Sequence, residues 1–177
     1  MKYFIILVIV LIVNPLKAQT NFLELTGFSF KSSRKHVEQK AKSMGGWVPE
    51  SIREEKSLGV NGLNLFGISN DQVIFQFYQD QMYSMSIFLD PQTDEETTDM
   101  FNRVYQKITN VFGEPVGRVN NTTMWLANRD DPDSDKLSIK VTSNNKLMVL
   151  LMDGELLNLA EPQHKRNALQ KIMQQSL

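Results

Sequence analysis

Side chains that could carry out catalysis are scarce in this sequence. The 177 residues include no cysteine and two histidines, which excludes a thiolate nucleophile, a disulfide framework and cysteine-based zinc or iron–sulfur sites. Neither His36 nor His164 has a serine, aspartate or glutamate at a spacing typical of a catalytic triad or a metal pair. Phosphate-binding, dinucleotide-binding and nucleophile-elbow motifs are also missing from the sequence. We therefore predict no enzymatic activity and no cofactor, and a hydrolytic enzyme is the least favoured class of function.

A run of aspartates is the one candidate for a metal site. Asp131, Asp133 and Asp135 alternate along the chain as the first three ligands of an EF-hand calcium loop do. That loop also needs glycine at its sixth position and glutamate at its twelfth, and these positions hold Lys136 and Thr142. A weak calcium site is therefore a secondary hypothesis, and a solvated hairpin loop is the preferred interpretation.

The charges do not indicate a nucleic-acid partner. The sequence has 19 Lys and Arg against 20 Asp and Glu, a net charge of −1, and this balance produces no positive field. A second acidic group, Asp94 to Glu96 with Asp99, could be taken for an acid/base cluster, but it lies at the start of a predicted helix. Capping and the helix dipole account for carboxylates at that place.

The first 18 residues have the three-part layout of a secretory signal peptide. Lys2 provides a positive start, residues 3–13 form an unbroken apolar run, and Asn14-Pro15 precedes the small residue Ala18. This order is typical of a cleavable signal. The apolar run is well short of the roughly 20 residues that span a bilayer, so we expect no transmembrane span in the mature chain. We predict export, to the periplasm or as a secreted protein, with cleavage near Ala18–Gln19.

The first half of the mature chain, about residues 20–92, predicts one helix followed by strands. A serine at 32 or 33 can cap a helix over about 33–44, which the glycine pair at 45 and 46 ends. Residues 47–55 are predicted to be extended, and residues 63–66 form a short strand. Two alternating runs around a polar turn, 73–78 and 82–89, predict an antiparallel hairpin. In the second run, alternation assigns one face to Tyr83, Met85, Ile87 and Leu89, and the other to Met82, Ser84, Ser86 and Phe88.

The second half, about residues 93–160, repeats this order. Thr93 and Glu96 form a capping box at the start of a helix over about 94–112. The apolar stripe of this helix, which we expect to be buried against the sheet, consists of Phe101, Val104, Tyr105, Ile108, Val111 and Phe112. Strands are predicted at 122–127, 136–142 and 146–152. The sequence thus predicts a single α+β domain, residues 19–160, with two main helices on one face of an antiparallel sheet. Residues 161–177 are predicted to form a short helix or a tail.

The sequence also resembles a group of known proteins in its caps, turns and alternating strands. The segments that carry the resemblance are "NFLELTGFSFKSSRKHVEQKAKSMGG", "VIFQFYQDQMYSMSIFLD", "FGEPVG", "TTMWLANR", "KLSIKV" and "KLMVLLMDG". They are similar to small, uncharacterised exported proteins of Bacteroidetes-type bacteria, whose layout is similar to that of beta-lactamase-inhibitor-like repeat modules. The resemblance covers about residues 22–153. It implies a secreted α+β binding or scaffolding module and assigns no functional residue.

The second face of the predicted sheet is the remaining candidate site. If Val73, Phe75 and Phe77 face the helices, the opposite face presents aromatic rings among polar groups, a combination typical of partner-binding surfaces. The candidate binding residues are Gln76, Tyr78, Phe88, Trp125 and Lys140. Coverage of this face by the C-terminal segment or by residues 47–55 is an open alternative.

These sequence features are compatible with two classes of function. The leading prediction is a non-catalytic exported module that binds an unknown protein or cell-envelope component through the open sheet face. The alternative is a small-ligand carrier with an apolar pocket between the sheet and the helices. The nine methionines favour this second class, because their flexible side chains adapt to varied ligand shapes.

Overall fold

A computed structural model describes residues 21–50, 54, 56–142 and 144–160. The predicted signal peptide and the predicted C-terminal helix or tail lie outside these residues. In chain order the described elements are α1 (Arg34–Ser43), β1 (Ser57–Val60), β2 (Asn64–Leu65), β3 (Ile68–Ser69), β4 (Gln72–Tyr78), β5 (Gln81–Leu89), α2 (Asp94–Phe112), β6 (Gly117–Val119), β7 (Thr122–Leu126), β8 (Lys136–Val141), β9 (Leu147–Met152) and α3 (Gly154–Ala160). A short 3-10 helix, Phe22–Leu25, precedes α1.

Seven of the strands form one antiparallel sheet in the order β1-β4-β5-β9-β8-β7-β6, and β2 pairs with β3 in a separate small hairpin. The predicted α+β class is confirmed. Each main helix is followed by its own strands, and the last strands of the two series, β5 and β9, lie side by side at the centre. One core cluster holds Val37 and Ala41 of α1, Val104 and Ile108 of α2, and one face of the sheet.

Both predicted helices begin at the expected caps. The Ser33 hydroxyl accepts a hydrogen bond from the His36 N–H at 3.3 Å, and the Thr93 hydroxyl accepts one from the Glu96 N–H at 3.1 Å. In a capping box the Glu96 carboxylate would accept a hydrogen bond from the Thr93 N–H. Here it accepts one from the Gln92 N–H instead, at 2.7 Å. Each cap satisfies an amide that has no partner inside its helix.

The apolar stripe of α2 is narrower than predicted. Val104 and Ile108 are fully buried, but Phe101 is only partly buried and Val111 is 49% exposed. Val111 lies at the edge of the stripe, roughly 80° around the helix from Phe101. The expectation that both are buried is therefore wrong.

A β-bulge changes the predicted faces of β5. Phe77 is paired with Met82 and Gln76 with Ser84, so Tyr83 is an extra residue on its strand. Met82 consequently faces the helices and is fully buried, whereas Tyr83 belongs to a cluster on the other side of the sheet. Strict alternation predicts the opposite face for each of these two residues. That prediction is wrong because an inserted residue reverses the alternation on one side of the bulge.

Four elements were not predicted from the sequence. They are the edge strands β1 and β6, the short strand β3 and the helix α3. In the segment predicted to be extended, Trp47 forms an isolated bridge with Asn61, while residues 51–53 and 55 lie outside the described part. No helix within the described ranges is long and apolar enough to cross a membrane.

Candidate functional site

The sheet has a second face, turned away from α1 and α2, which we call the far face. Strand register and alternation assign side chains of all seven strands to it. They are Gln72, Ile74, Gln76 and Tyr78 of β4, Ser84, Ser86 and Phe88 of β5, Val119 of β6, Thr122, Met124 and Leu126 of β7, Lys136, Ser138 and Lys140 of β8, Met148, Leu150 and Met152 of β9, and Ser57 of β1. Four of the five predicted binding residues, all but Trp125, therefore lie on this face.

One row of the far face crosses six strands without interruption and ends at the half-buried Val119 of β6. Its members on the other five strands are direct partners in the register and define the far-face strip: Gln72, Phe88, Met148, Lys140 and Thr122. Lys140 is exposed, and the other four are half-buried. Directly opposed side chains on neighbouring strands are close enough to contact one another. The strip therefore combines an aromatic ring and a thioether with one cation and two polar groups.

Helix α3 covers one end of the far face. Leu156 and Leu157 are buried in a small cluster with Tyr83 and Met152, against which Tyr78 packs. Tyr78, one of the predicted binding residues, therefore packs against the cluster that α3 forms with the sheet. In the next row inward, Met124 and Ser138 are only 6% and 5% exposed, whereas Ile74, Ser86 and Leu150 are half-buried. The strip differs from this row in holding Lys140, which is exposed.

The predicted position of Trp125 is wrong. Trp125 pairs with Leu137 and points to the helix side of the sheet, where it is 2% exposed. Its indole N–H donates to the Gly113 carbonyl at 2.9 Å, and its ring lies 5.7 Å from that of Tyr105. Strand β7 carries large side chains on both faces, so its residue types alone do not indicate which face is buried.

The aspartate loop anchors α3. The Asp131 carboxylate accepts from the Asp133 N–H at 2.9 Å, and the Asp135 carboxylate accepts from the Gly154 N–H at 3.0 Å. Burial, with a smaller contribution from Asp153, raises the pKa of Asp135, while the Gly154 hydrogen bond opposes that rise. Within the described part of the chain, no three acidic or histidine side chains are grouped so that they could hold a metal ion. The calcium hypothesis gains no support from this geometry.

A buried lysine follows the same loop. Lys136 is 3% exposed and donates to the Ser134 carbonyl at 3.0 Å. Burial lowers the pKa of its amine, and the nearby carboxylates of Asp133, Asp131 and Asp135 partly counter the effect.

An ion pair of 2.6 Å between Lys31 and Glu155 joins the segment before α1 to α3. The hydrogen bond to Glu155 raises the pKa of Lys31, and the same bond lowers the pKa of Glu155.

An open groove of about 450 Å³ lies between the first turns of α2 and the edge of the sheet. Phe101 and Val141 provide apolar lining, and Asp94, Asn102 and Arg118 provide polar groups. The Arg118 guanidinium carbon lies 5.7 Å from the centroid of the Phe101 ring. Arg118 was not predicted from the sequence. The one sequence signal for this groove was Phe101, the aromatic residue at the start of the apolar stripe of α2.

The structure describes one of the two histidines. His36 is exposed on α1, and His164 lies outside the described residues. Comparisons of the chain with protein-family models, curated proteins and solved structures give no match. The resemblance to exported repeat modules therefore stays a prediction.

Proposed function

We propose that this protein is an exported, non-catalytic binding module that holds a protein or cell-envelope component on the far-face strip. The observation that carries the proposal is the strip itself, in which Phe88 and Met148 are half-buried beside the exposed Lys140. Neither α1 nor α2 packs on this side of the sheet, and α3 covers only one end of it.

The side chains of the strip indicate the chemistry of the partner. An aromatic ring and a flexible thioether bury apolar area against varied shapes. Both charged residues of the far face, Lys136 and Lys140, are cations, and only Lys140 is accessible. Because complementary charge favours the correct partner, we propose that the partner offers an acidic group beside an apolar patch.

Substitution of Phe88 tests this proposal. Once a partner has been isolated from the envelope with the mature protein, Phe88→Ala should weaken binding by about 2 kcal/mol, as for a central anchor residue. Val111→Ala is the matched control, because Val111 is an exposed apolar residue on α2. Unchanged affinity of the Phe88 variant, with its melting temperature preserved, would exclude the strip as the binding surface.

Export is proposed from the layout of residues 1–18. N-terminal sequencing of the protein from the cells that produce it should give a chain beginning near Gln19. A chain that still begins at Met1 and is found in the cytosol would contradict export, and it would leave the binding proposal to be judged by the Phe88 variant.

A small-ligand carrier is the second candidate function, and the groove beside α2 is the observation that favours it. Its volume of about 450 Å³ is within the range of sites for small organic molecules. Apolar lining with a few polar groups is also typical of such sites.

A further inference from the structure

We infer that the groove beside α2 binds a small organic carboxylate with an apolar body, its carboxylate on Arg118 and its apolar part on Phe101 and Val141. This inference rests on the second candidate function and is independent of the far-face strip. The two sites lie on different sides of the sheet, so either one can fail without the other.

Phe101 is the main apolar residue of the proposed site. This ring packs in the aromatic series of α2, 5.9 Å from the nearly parallel ring of Tyr105, yet it remains partly exposed. Val141, at the end of β8, is also partly exposed and lines the same groove. An apolar group placed against both would remove surface from water that the fold itself leaves accessible.

Arg118 is the residue proposed to bind the ligand carboxylate. This residue lies on the edge strand β6 and lines the groove. Among the described residues, no carboxylate lies within ion-pair distance of its guanidinium, whose contact is with the face of Phe101. A guanidinium presents a planar set of donors that fits a carboxylate in a two-pronged geometry. The ligand carboxylate would therefore lie at the rim of the groove, directly beside the apolar lining.

The opposite wall is held in place by hydrogen bonds. The Asn145 side-chain amide donates to the Asp94 carboxylate. The Thr97 hydroxyl shares its proton between the Thr93 carbonyl at 2.9 Å and the Asn145 carbonyl at 3.2 Å. These bonds fix the turn after β8 to the first turn of α2. Asn102 lies about two turns along α2 from Asp94, is exposed and also lines the groove. A groove with a fixed wall loses less conformational entropy when a ligand binds.

Three probes separate the two halves of the proposed ligand. Phenylacetate carries both the carboxylate and the apolar ring, phenylacetamide replaces the carboxylate with a neutral amide, and acetate lacks the ring. Titration calorimetry and amide chemical shifts should show saturable, millimolar or tighter binding of phenylacetate, with shifts at Phe101, Asn102 and Arg118. Phenylacetamide and acetate should each bind at least several-fold more weakly. Equal binding of phenylacetamide would overturn the role of Arg118.

Arg118→Gln is the decisive variant, and Arg103→Gln is its control. Arg103 is an exposed arginine of α2 whose guanidinium nitrogen lies 3.7 Å from a carboxylate oxygen of Asp99 on the preceding turn. It is not among the residues that line the groove. Loss of a hydrogen-bonded charge should weaken phenylacetate binding roughly tenfold in the Arg118 variant, and Arg103→Gln should leave it unchanged. The inference is overturned if phenylacetate does not saturate the wild type or if both variants bind it equally. Neither result bears on the strip, which Phe88→Ala tests.

Discussion

Trp125 is the largest of the fully buried side chains and joins three parts of the molecule. It belongs to β7, its indole N–H donates to the Gly113 carbonyl just after α2, and its ring contacts Tyr105 within α2. A buried ring of this size excludes a large apolar area from water, and its donor satisfies a carbonyl at the end of the helix. Trp125 therefore stabilises the contact between α2 and the sheet.

Trp125→Ala should lower the free energy of unfolding by roughly 3–5 kcal/mol, because it leaves a large cavity and an unpaired carbonyl. Urea denaturation monitored by circular dichroism measures the change. Trp47→Ala is the matched control, since Trp47 is 57% exposed and should change stability by only about 0.5 kcal/mol. Equal changes in the free energy of unfolding for the two substitutions would contradict the burial of Trp125 between α2 and the sheet.

Lys136 is a buried cation that the fold holds at a cost. Its pKa is lowered from the ordinary value of 10.5, first by burial, so protonation of Lys136 is less favourable in the folded state than in the unfolded state. At every pH below the folded-state pKa this penalty is present in full. It declines as the pH rises through the folded-state pKa and disappears above 10.5, the unfolded value.

Lys136→Met should therefore stabilise the protein near neutral pH, by about 1 kcal/mol, and the gain should shrink as the pH approaches 10.5. Chemical denaturation over this pH range measures both quantities. Lys140→Met is the control, because Lys140 lies on the same strand and face but is exposed. A gain that grows with pH, or an equal gain from Lys140→Met, contradicts this assignment.

At the scale of secondary-structure elements, α3 is held by the aspartate loop. A Cβ at Gly154 would overlap the Asp133 carbonyl oxygen and lie 2.6 Å from the Ser134 carbonyl carbon. The Gly154 N–H also donates to Asp135, so the first residue of α3 contacts the loop backbone directly. Only glycine permits this approach.

Gly154→Ala should destabilise the protein by roughly 1–3 kcal/mol through overpacking, with the largest loss of amide protection in α3. Hydrogen exchange of the α3 amides and the melting temperature provide the measurements. Glu155→Ala, at the next residue, should have little effect on either, because its pair with Lys31 is exposed. Wild-type protection of α3 in the Gly154 variant would contradict the close contact.

The elements that could be predicted from the sequence are those with local signals. The helix α2 has a cap at Thr93 and a stop at Gly113, and the hairpin of β4 and β5 has two alternating runs around a short turn. The edge strand β1 has four residues and pairs with β4, on the far side of the small hairpin. The edge strand β6 has only three residues, too few for an alternating pattern to stand out, although it pairs with the adjacent β7. The bulge at Tyr83 and the face of Trp125 depend on register between strands, which residue types do not specify. Arg118 was missed for the same reason, since its contact with Phe101 joins separate elements.

At the scale of the whole molecule, the two series of strands meet at β5 and β9 and form one continuous sheet. Both main helices contribute to the core on one side of it, and α3 covers only one end of the other side. Among the described residues, this arrangement leaves the far-face strip on the sheet with one exposed side chain, Lys140, and four half-buried ones. A surface built on strands holds its side chains in fixed positions, which reduces the entropy lost on binding.

The most direct test of the central claim is a map of photo-crosslinks in cells that produce the protein. A photoreactive residue is placed at Gln72 or Met148 in the strip and, as controls, at Lys35 on α1 or Asn110 on α2, which are both exposed. We expect one acidic partner to be crosslinked from both strip positions and from neither helix position, and Phe88→Ala in the same chain should abolish the crosslink. Crosslinks of equal strength from all four positions, or from the helix positions alone, would contradict the claim that the far-face strip is the binding surface.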